Sequence, residues 1–191
     1  LQPDSVAQLV LGFGSRHILE ASERYQELRE VFPSAQIVCC STAGEIQGER
    51  VLDDSLCITA ITFDKVQVTS AAIRVDGAAD SYAAGQTLGE KLARTDLTYV
   101  LVLSDGLHVN GSELANGLAD RLPKDTIATG GLSGDADAFN RPLVGLNGPA
   151  ESNLVAAIGF YGGGLKVARG SLGGWDPFGP DRLVTRSSGN V

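Results

Sequence analysis

Ile37-Val38-Cys39-Cys40-Ser41-Thr42-Ala43-Gly44-Glu45 is the stretch whose reading decides the fold. Four β-favouring residues run into a turn of small residues that closes on an acid, the form of a buried strand whose carboxyl end opens into a loop. With Ile37 laid on Ile127, the stretch Ile127-Ala128-Thr129-Gly130-Gly131-Leu132-Ser133-Gly134-Asp135 repeats that form: Gly44 meets Gly134 and Glu45 meets Asp135. The chain therefore reads as two similar halves.

Upstream of each stretch lies a strand followed by a helix. Leu9 to Phe13 ends in Gly14-Ser15, and Ile18, Leu19, Tyr25, Leu28 and Val31 follow at helical intervals before Pro33. Tyr99 to Leu103 ends in Ser104-Asp105-Gly106, and Asn110 with Glu113 forms a capping box for a helix carrying Leu114, Leu118 and Leu122. Downstream, Leu56 to Phe63 and Val66 to Ile73 read as a hairpin around Asp64-Lys65; Leu154 to Tyr161 and Leu165 to Arg169 read as another, joined by Gly162-Gly163-Gly164. Between the halves, residues 79–93 carry Ala84, Leu88 and Leu92 on a helical face, with Gly85 and Gly89 allowing close approach. The expectation is a mixed α/β fold: one or two mixed β-sheets with flanking helices, built from two pseudo-symmetric β-α-β-hairpin repeats about an approximate two-fold axis.

A chain of 191 residues with 43% hydrophobic residues suffices for one domain and a sizeable core. A net charge of -8 and no Lys/Arg run speak against nucleic acid and anionic membrane as partners. No apolar run is long enough to span or insert into a membrane, and Cys39, Cys40 and Cys57 suit neither a disulfide framework nor a spaced zinc site, so a reducing cytoplasm is expected. The chain starts at Leu1 and stops at Val191 without a finishing element, the form of a fragment.

Ligands of such folds favour the carboxyl ends of strands, where small residues let backbone N–H groups approach a carboxylate or other small polar group. Ser41, Thr42, Gly44, Gly131, Ser133 and Gly134 are the candidates for that role. The acids Glu45, Asp105 and Asp135 suit an ammonium group or a metal, or else cap neighbouring amides. Asn110 stands beside the same edge, and Trp175, set among glycines and prolines at Gly173 to Pro180, is placed to cover the pocket. Amides for a carboxylate and acids for an amine together describe an amino-acid-sized receptor.

Three other readings compete. His17 and His108 are the two histidines available to a haem iron, without a Cys-x-x-Cys-His attachment motif. Cys40 closes a strand where a helix N-terminus would activate a thiol, yet it has no evident base, and there is no Gly-x-Ser-x-Gly elbow, P-loop or dinucleotide fingerprint. The leading expectation is therefore a binding domain with no catalytic residue; a thiol- or carboxylate-dependent enzyme and a structural dimerisation module are the remaining rivals.

Cys40-Ser41-Thr42-Ala43-Gly44-Glu45-Ile46, Leu103-Ser104-Asp105-Gly106 with Asn110-Gly111-Ser112-Glu113-Leu114, Gly130-Gly131-Leu132-Ser133-Gly134-Asp135, and Gly174-Trp175-Asp176-Pro177-Phe178-Gly179-Pro180 together resemble the N-terminal FIST domain. The resemblance covers nearly all of residues 1–191. It implies a sensory input domain for small ligands such as amino acids, followed by a FIST C-terminal domain that this chain lacks. It further implies signalling partners such as histidine kinases, methyl-accepting receptors or cyclic-di-GMP enzymes, and, for some members, haem-based nitric oxide sensing. It fixes no haem ligand among His17 and His108.

Overall fold

A computed structural model describes residues 6–170, 173, 174, 176 and 178–186. In chain order the elements are β1 (Leu9–Gly14), α1 (Arg16–Leu19), α2 (Ser22–Val31), β2 (Gln36–Ser41), β3 (Glu45–Gln47), β4 (Arg50–Leu52), β5 (Leu56–Ile61) and β6 (Gln67–Arg74). A short 3₁₀ turn (Ala78–Asp80) then leads into α3 (Ser81–Leu92), β7 (Leu97–Ser104), α4 (Gly111–Arg121), β8 (Ile127–Leu132), β9 (Val144–Leu146) and β10 (Leu154–Tyr161).

The strands form two four-stranded mixed sheets, ordered β5-β1-β2-β9 and β6-β10-β7-β8, with β3 and β4 as a separate small ribbon. In the first sheet β1 and β2 are parallel and β5 is antiparallel to β1; in the second, β7 and β8 are parallel and β10 is antiparallel to β7. What recurs is thus a β-α-β unit with a third strand returning antiparallel beside the first.

Both expected hairpins are corrected by this pairing. β5 and β6 are consecutive but join different sheets, β5 against β1 and β6 against β10. Residues 165–170 form no strand at all. The reason is burial: Val68 and Ala72 of β6 pack in one hydrophobic cluster and Ala71 and Ile73 in another, so β6 covers apolar surface on both faces by crossing over, which a hairpin with β5 would not do. The single helix expected before Pro33 is broken as well, because Ala21 adopts an extended backbone (φ -73°, ψ 114°) between α1 and α2.

Three apolar clusters define four layers. Leu9, Val38 and Val144 of the first sheet meet Leu103, Leu154, Ala156, Ile158 and Phe160 of the second, which stacks the sheets face to face. Leu19, Leu28 and Phe32 pack α1 and α2 on the outer face of the first sheet, against Val10, Ile37 and Leu143. Leu88, Leu92, Leu114 and Leu118 pack α3 and α4 on the outer face of the second, against Val100, Val102, Val155 and Ala157. Every residue of β10 is buried, which identifies it as the central strand of the molecule.

The glycine pattern of α3 finds its partner in α4. A Cβ on Gly85 would stand 2.3 Å from the Leu114 carbonyl oxygen, and one on Gly117 2.1 Å from the Tyr82 carbonyl oxygen, so the two helices touch backbone to backbone. No described helix is long and apolar enough to cross a membrane.

Candidate ligand site

The carboxyl ends of the parallel strands carry matched backbone bonds. Thr42 N–H donates to Gly14 O at 3.1 Å, and Ser133 N–H donates to Ser104 O at 2.7 Å. Ser15 N–H donates to Ser55 O at 2.9 Å, and Asp105 N–H donates to Leu154 O at 3.0 Å. Strand register therefore makes Leu132 the counterpart of Ser41 and Ser133 the counterpart of Thr42. This is one residue away from the alignment that superposes Glu45 on Asp135, because ladder hydrogen bonds, not loop acids, fix what lies beside what.

The two loops meet. Gly134 N–H donates to Ser41 O at 2.9 Å, and the Ser41 hydroxyl donates to Gly134 O at 2.6 Å. The fully buried Ser41 Oγ also accepts from Leu143 N–H at 2.7 Å, while Ser41 N–H donates to Leu143 O at 2.9 Å. The backbone N–H groups of Ser41, Thr42, Ser133 and Gly134 are consequently all engaged within the chain. They lock the halves together rather than stand open as donors.

The acids are engaged too. Glu45, buried, accepts from the Thr42 and Ser55 hydroxyls, each at 2.5 Å. Asp105 accepts from the N–H groups of Leu107 (2.7 Å), His108 (2.8 Å) and Asn153 (2.8 Å), and its two oxygens lie 3.1 Å from His108 Nδ1. Burial raises the pKa of Asp105, but these N–H groups and the His108 ring outweigh it and hold the carboxyl below its ordinary value. Asp135 accepts from Asn140 N–H at 2.8 Å and Arg141 N–H at 2.7 Å; against the opposing effect of burial, these bonds and the nearby Arg16 charge lower its pKa. Each acid thus organises its own loop, as a cap does.

What the junction leaves open is hydroxyls, with two paired cations nearby. Ser15 Oγ and Ser133 Oγ are buried and have no hydrogen-bond partner among the described residues; the same holds for Thr126 Oγ1, away from the junction, beside a cavity between α4 and β8. Unmet polar atoms of this kind are rare in folded proteins, and each needs a partner such as a water, an ion or a ligand. Arg16 follows Ser15 at the start of α1, and Arg16 and Arg141 both reach Glu20, Arg141 at 2.7 Å. Sequence reading passed over Ser15, Ser55, Arg16 and Arg141. The Gly14-Ser15-Arg16 turn at the end of β1 was the signal, since it occupies the strand-to-helix position that made the other loops candidates.

The remaining candidates lie apart. Asn110 is the N-cap of α4, its side-chain oxygen accepting from Ser112 N–H (3.1 Å) and Glu113 N–H (3.2 Å). Gly44 is exposed in the turn before β3, at φ +155°. Gly131 is exposed on β8 and borders a cavity of about 490 Å³ between α4 and that strand, which neither histidine lines. His17 stands 3.7 Å from Asp54 on the surface. Trp175 lies outside the described residues. Cys39 and Cys40 are buried, and burial pushes their thiols up to about 12, away from the thiolate form a nucleophile uses. Among the described residues no group of three or more His, Cys, Asp or Glu is placed to hold a metal.

Compared with known proteins, residues 8–191 match the FIST N domain family. No curated protein matches the chain.

Proposed function

The chain belongs to the FIST N domain family, a family of sensory domains of signal-transduction proteins, and on that premise we propose that it binds a small polar metabolite, such as an amino acid, at the junction of its two loops. The observation that carries this reading is the pair of buried, unpartnered hydroxyls, Ser15 and Ser133, beside loops that bind each other through Ser41 and Gly134. Ser133 belongs to one half and Ser15 to the other, and a ligand held by both hydroxyls shifts the balance between two arrangements of the halves. Arg16 and Arg141, which share Glu20, supply cations for a carboxylate. Glu45 and Asp135 shape the walls, and Asp105 the neighbouring strand end.

The role is binding and not catalysis: burial pushes the Cys40 thiol up to about 12, and the three acids are held by their own loops. The setting is cytoplasmic, with a FIST C-terminal domain and a signalling partner, such as a histidine kinase or a cyclic-di-GMP enzyme, receiving the signal. Titration calorimetry with a panel of amino acids tests the site. Saturable heat that disappears in Ser133→Ala and in Arg16→Ala supports it; no heat from any of them removes the amino-acid version.

Haem is the second reading, and one observation favours it at His108 alone. A histidine ligand is oriented by a carboxylate on its other ring nitrogen, and Asp105 holds His108 Nδ1 in that way, leaving Nε2 for the iron. Reconstitution with haem checks it: a Soret band that survives His108→Ala excludes this ligand.

A further inference from the structure

The first sheet has an edge that the chain itself covers. β9 lies antiparallel beside β2, pairing Val144 with Cys40, Gly145 with Cys39 and Leu146 with Val38. Ser41 N–H donates to Leu143 O, and Asn147 N–H donates to Ile37 O, so Leu143, Gly145 and Asn147 stand opposite Ser41, Cys39 and Ile37. Leu143 thereby enters the layer between the first sheet and its helices, where it is fully buried in one cluster with Ile37, Cys39, Leu19 and Leu28.

Beside β8, the counterpart of β2, no strand is paired among the described residues. Register against the parallel neighbour makes Leu132, Gly130 and Ala128 the counterparts of Ser41, Cys39 and Ile37. Ser133 N–H is spent on Ser104 O, so the two-residue period of the strand turns the N–H and C=O groups of these three outward. Natural edge strands are blunted by charges, prolines or bulges, yet residues 127–132 carry no charge and no proline. Where the first half has Leu143, the second has the cavity of about 490 Å³. Ala115, Ala119 and Leu122 of α4 wall it, and Gly130 adds no side chain to it, because a Cβ there would stand 2.0 Å from Val102 O. Leu132, 53% exposed, lines it where β8 ends; Lys124 and Thr126 line it where β8 begins, Lys124 being the one charged residue of the lining.

We propose that this edge takes an extended segment of a partner protein, added antiparallel to β8 as β9 is added to β2. The covered half supplies the template for both register and chemistry. In that register, segment residues at the places of Leu143, Gly145 and Asn147 meet the outward groups of Leu132, Gly130 and Ala128. Residues directly opposite share a face, so those three side chains point to the α4 side, as Leu143 points to α1 and α2. The one opposite Gly130 takes the space that the glycine leaves, which calls for a segment apolar at alternate residues with its largest side chain there. Antiparallel order carries the carboxyl end of the segment toward Lys124, where an acid complements the single cation of the cavity.

A labelled peptide of residues 142–151 with Gly145→Leu is the probe: it sets leucines opposite Leu132 and Gly130 and ends in Glu151. Fluorescence anisotropy with the full chain should show saturable binding. Roughly tenfold or greater weakening is expected from Ala119→Glu, which sets a charge against the apolar segment, and from Leu132→Pro, which removes one outward N–H without touching the ladder to β7. Lys124→Glu should weaken binding severalfold, and Ile46→Asp, on the exposed β3–β4 ribbon, should leave it unchanged. Hydrogen exchange separates a strand from a small molecule lodged in the cavity: the amides of Ala128, Gly130 and Leu132 become protected when the peptide is added. No binding, binding indifferent to Ala119→Glu and Leu132→Pro, or binding without that protection overturns the proposal. So does sedimentation in which the free chain already pairs with a second copy through this edge.

Discussion

The two halves of this molecule share a β-α-β unit and a returning antiparallel strand, but they finish their edges differently. The first closes over β2 with Leu143 and β9, burying Leu143 and Val144 completely. The second leaves β8 with Leu132 half in solvent and a cavity along α4. β9 is contributed by the chain that follows β8, yet it crosses to the other sheet, so the loop that could have sealed the second half seals the first. Topology alone does not settle which surface is finished; that depends on where the connecting segment finds apolar area to cover.

The contrast can be broken most forcefully at Leu143. Leu143→Ala should lower stability by about 2–5 kcal/mol, the usual range for a fully buried leucine, measured by denaturant unfolding. Ser41→Ala tests the seam between the halves: it strands Leu143 N–H and Gly134 O in a buried position and should remove about 2–3 kcal/mol. A loss near zero there would mean the loops are held together by other contacts.

Asp105 sharpens the comparison through pH. It occupies the position that Ser15 holds in the first half, and its carboxyl is depressed in the folded state. Its contribution is therefore present above the unfolded carboxylate value, about pH 4, and is lost as pH falls through the lower folded value. Asp105→Asn should lower stability at neutral pH by about 1–3 kcal/mol and flatten the acid side of the stability curve; an acid limb as steep as before would mean other carboxylates dominate it. The smallest effect belongs to Leu132→Ala. On an exposed edge it should change monomer stability by no more than about 0.5 kcal/mol, in contrast to Leu143→Ala.

Much of the fold was legible in residue patterns. The run Ile37 to Cys40 and its turn, the run Tyr99 to Leu103, the Asn110 cap and the spacing of Gly85 and Gly89 are local signals, and each appears in the structure where it was read. The small-residue loops at 41–45 and 131–135, read as ligand-edge candidates from their composition, meet through Ser41 and Gly134. What stayed hidden was the use of their donors: Ser41, Thr42, Ser133 and Gly134 spend their amides on chain partners far away in sequence. The unmatched hydroxyls of Ser15 and Ser133 were equally invisible, since an unmet hydrogen bond is a property of surroundings and not of a residue type.

The sequence by itself determined the class of the fold, the order of its principal strands and helices, and the ends of the strands where small residues gather, because periodicity, capping and turn chemistry act within a few residues. Only the tertiary structure decided that β5 and β6 part company, that the sheets stack, and that β9 covers one half and leaves the other open. Those choices are made by apolar surfaces competing for cover across the whole chain, a contest in which neighbours in sequence hold no advantage.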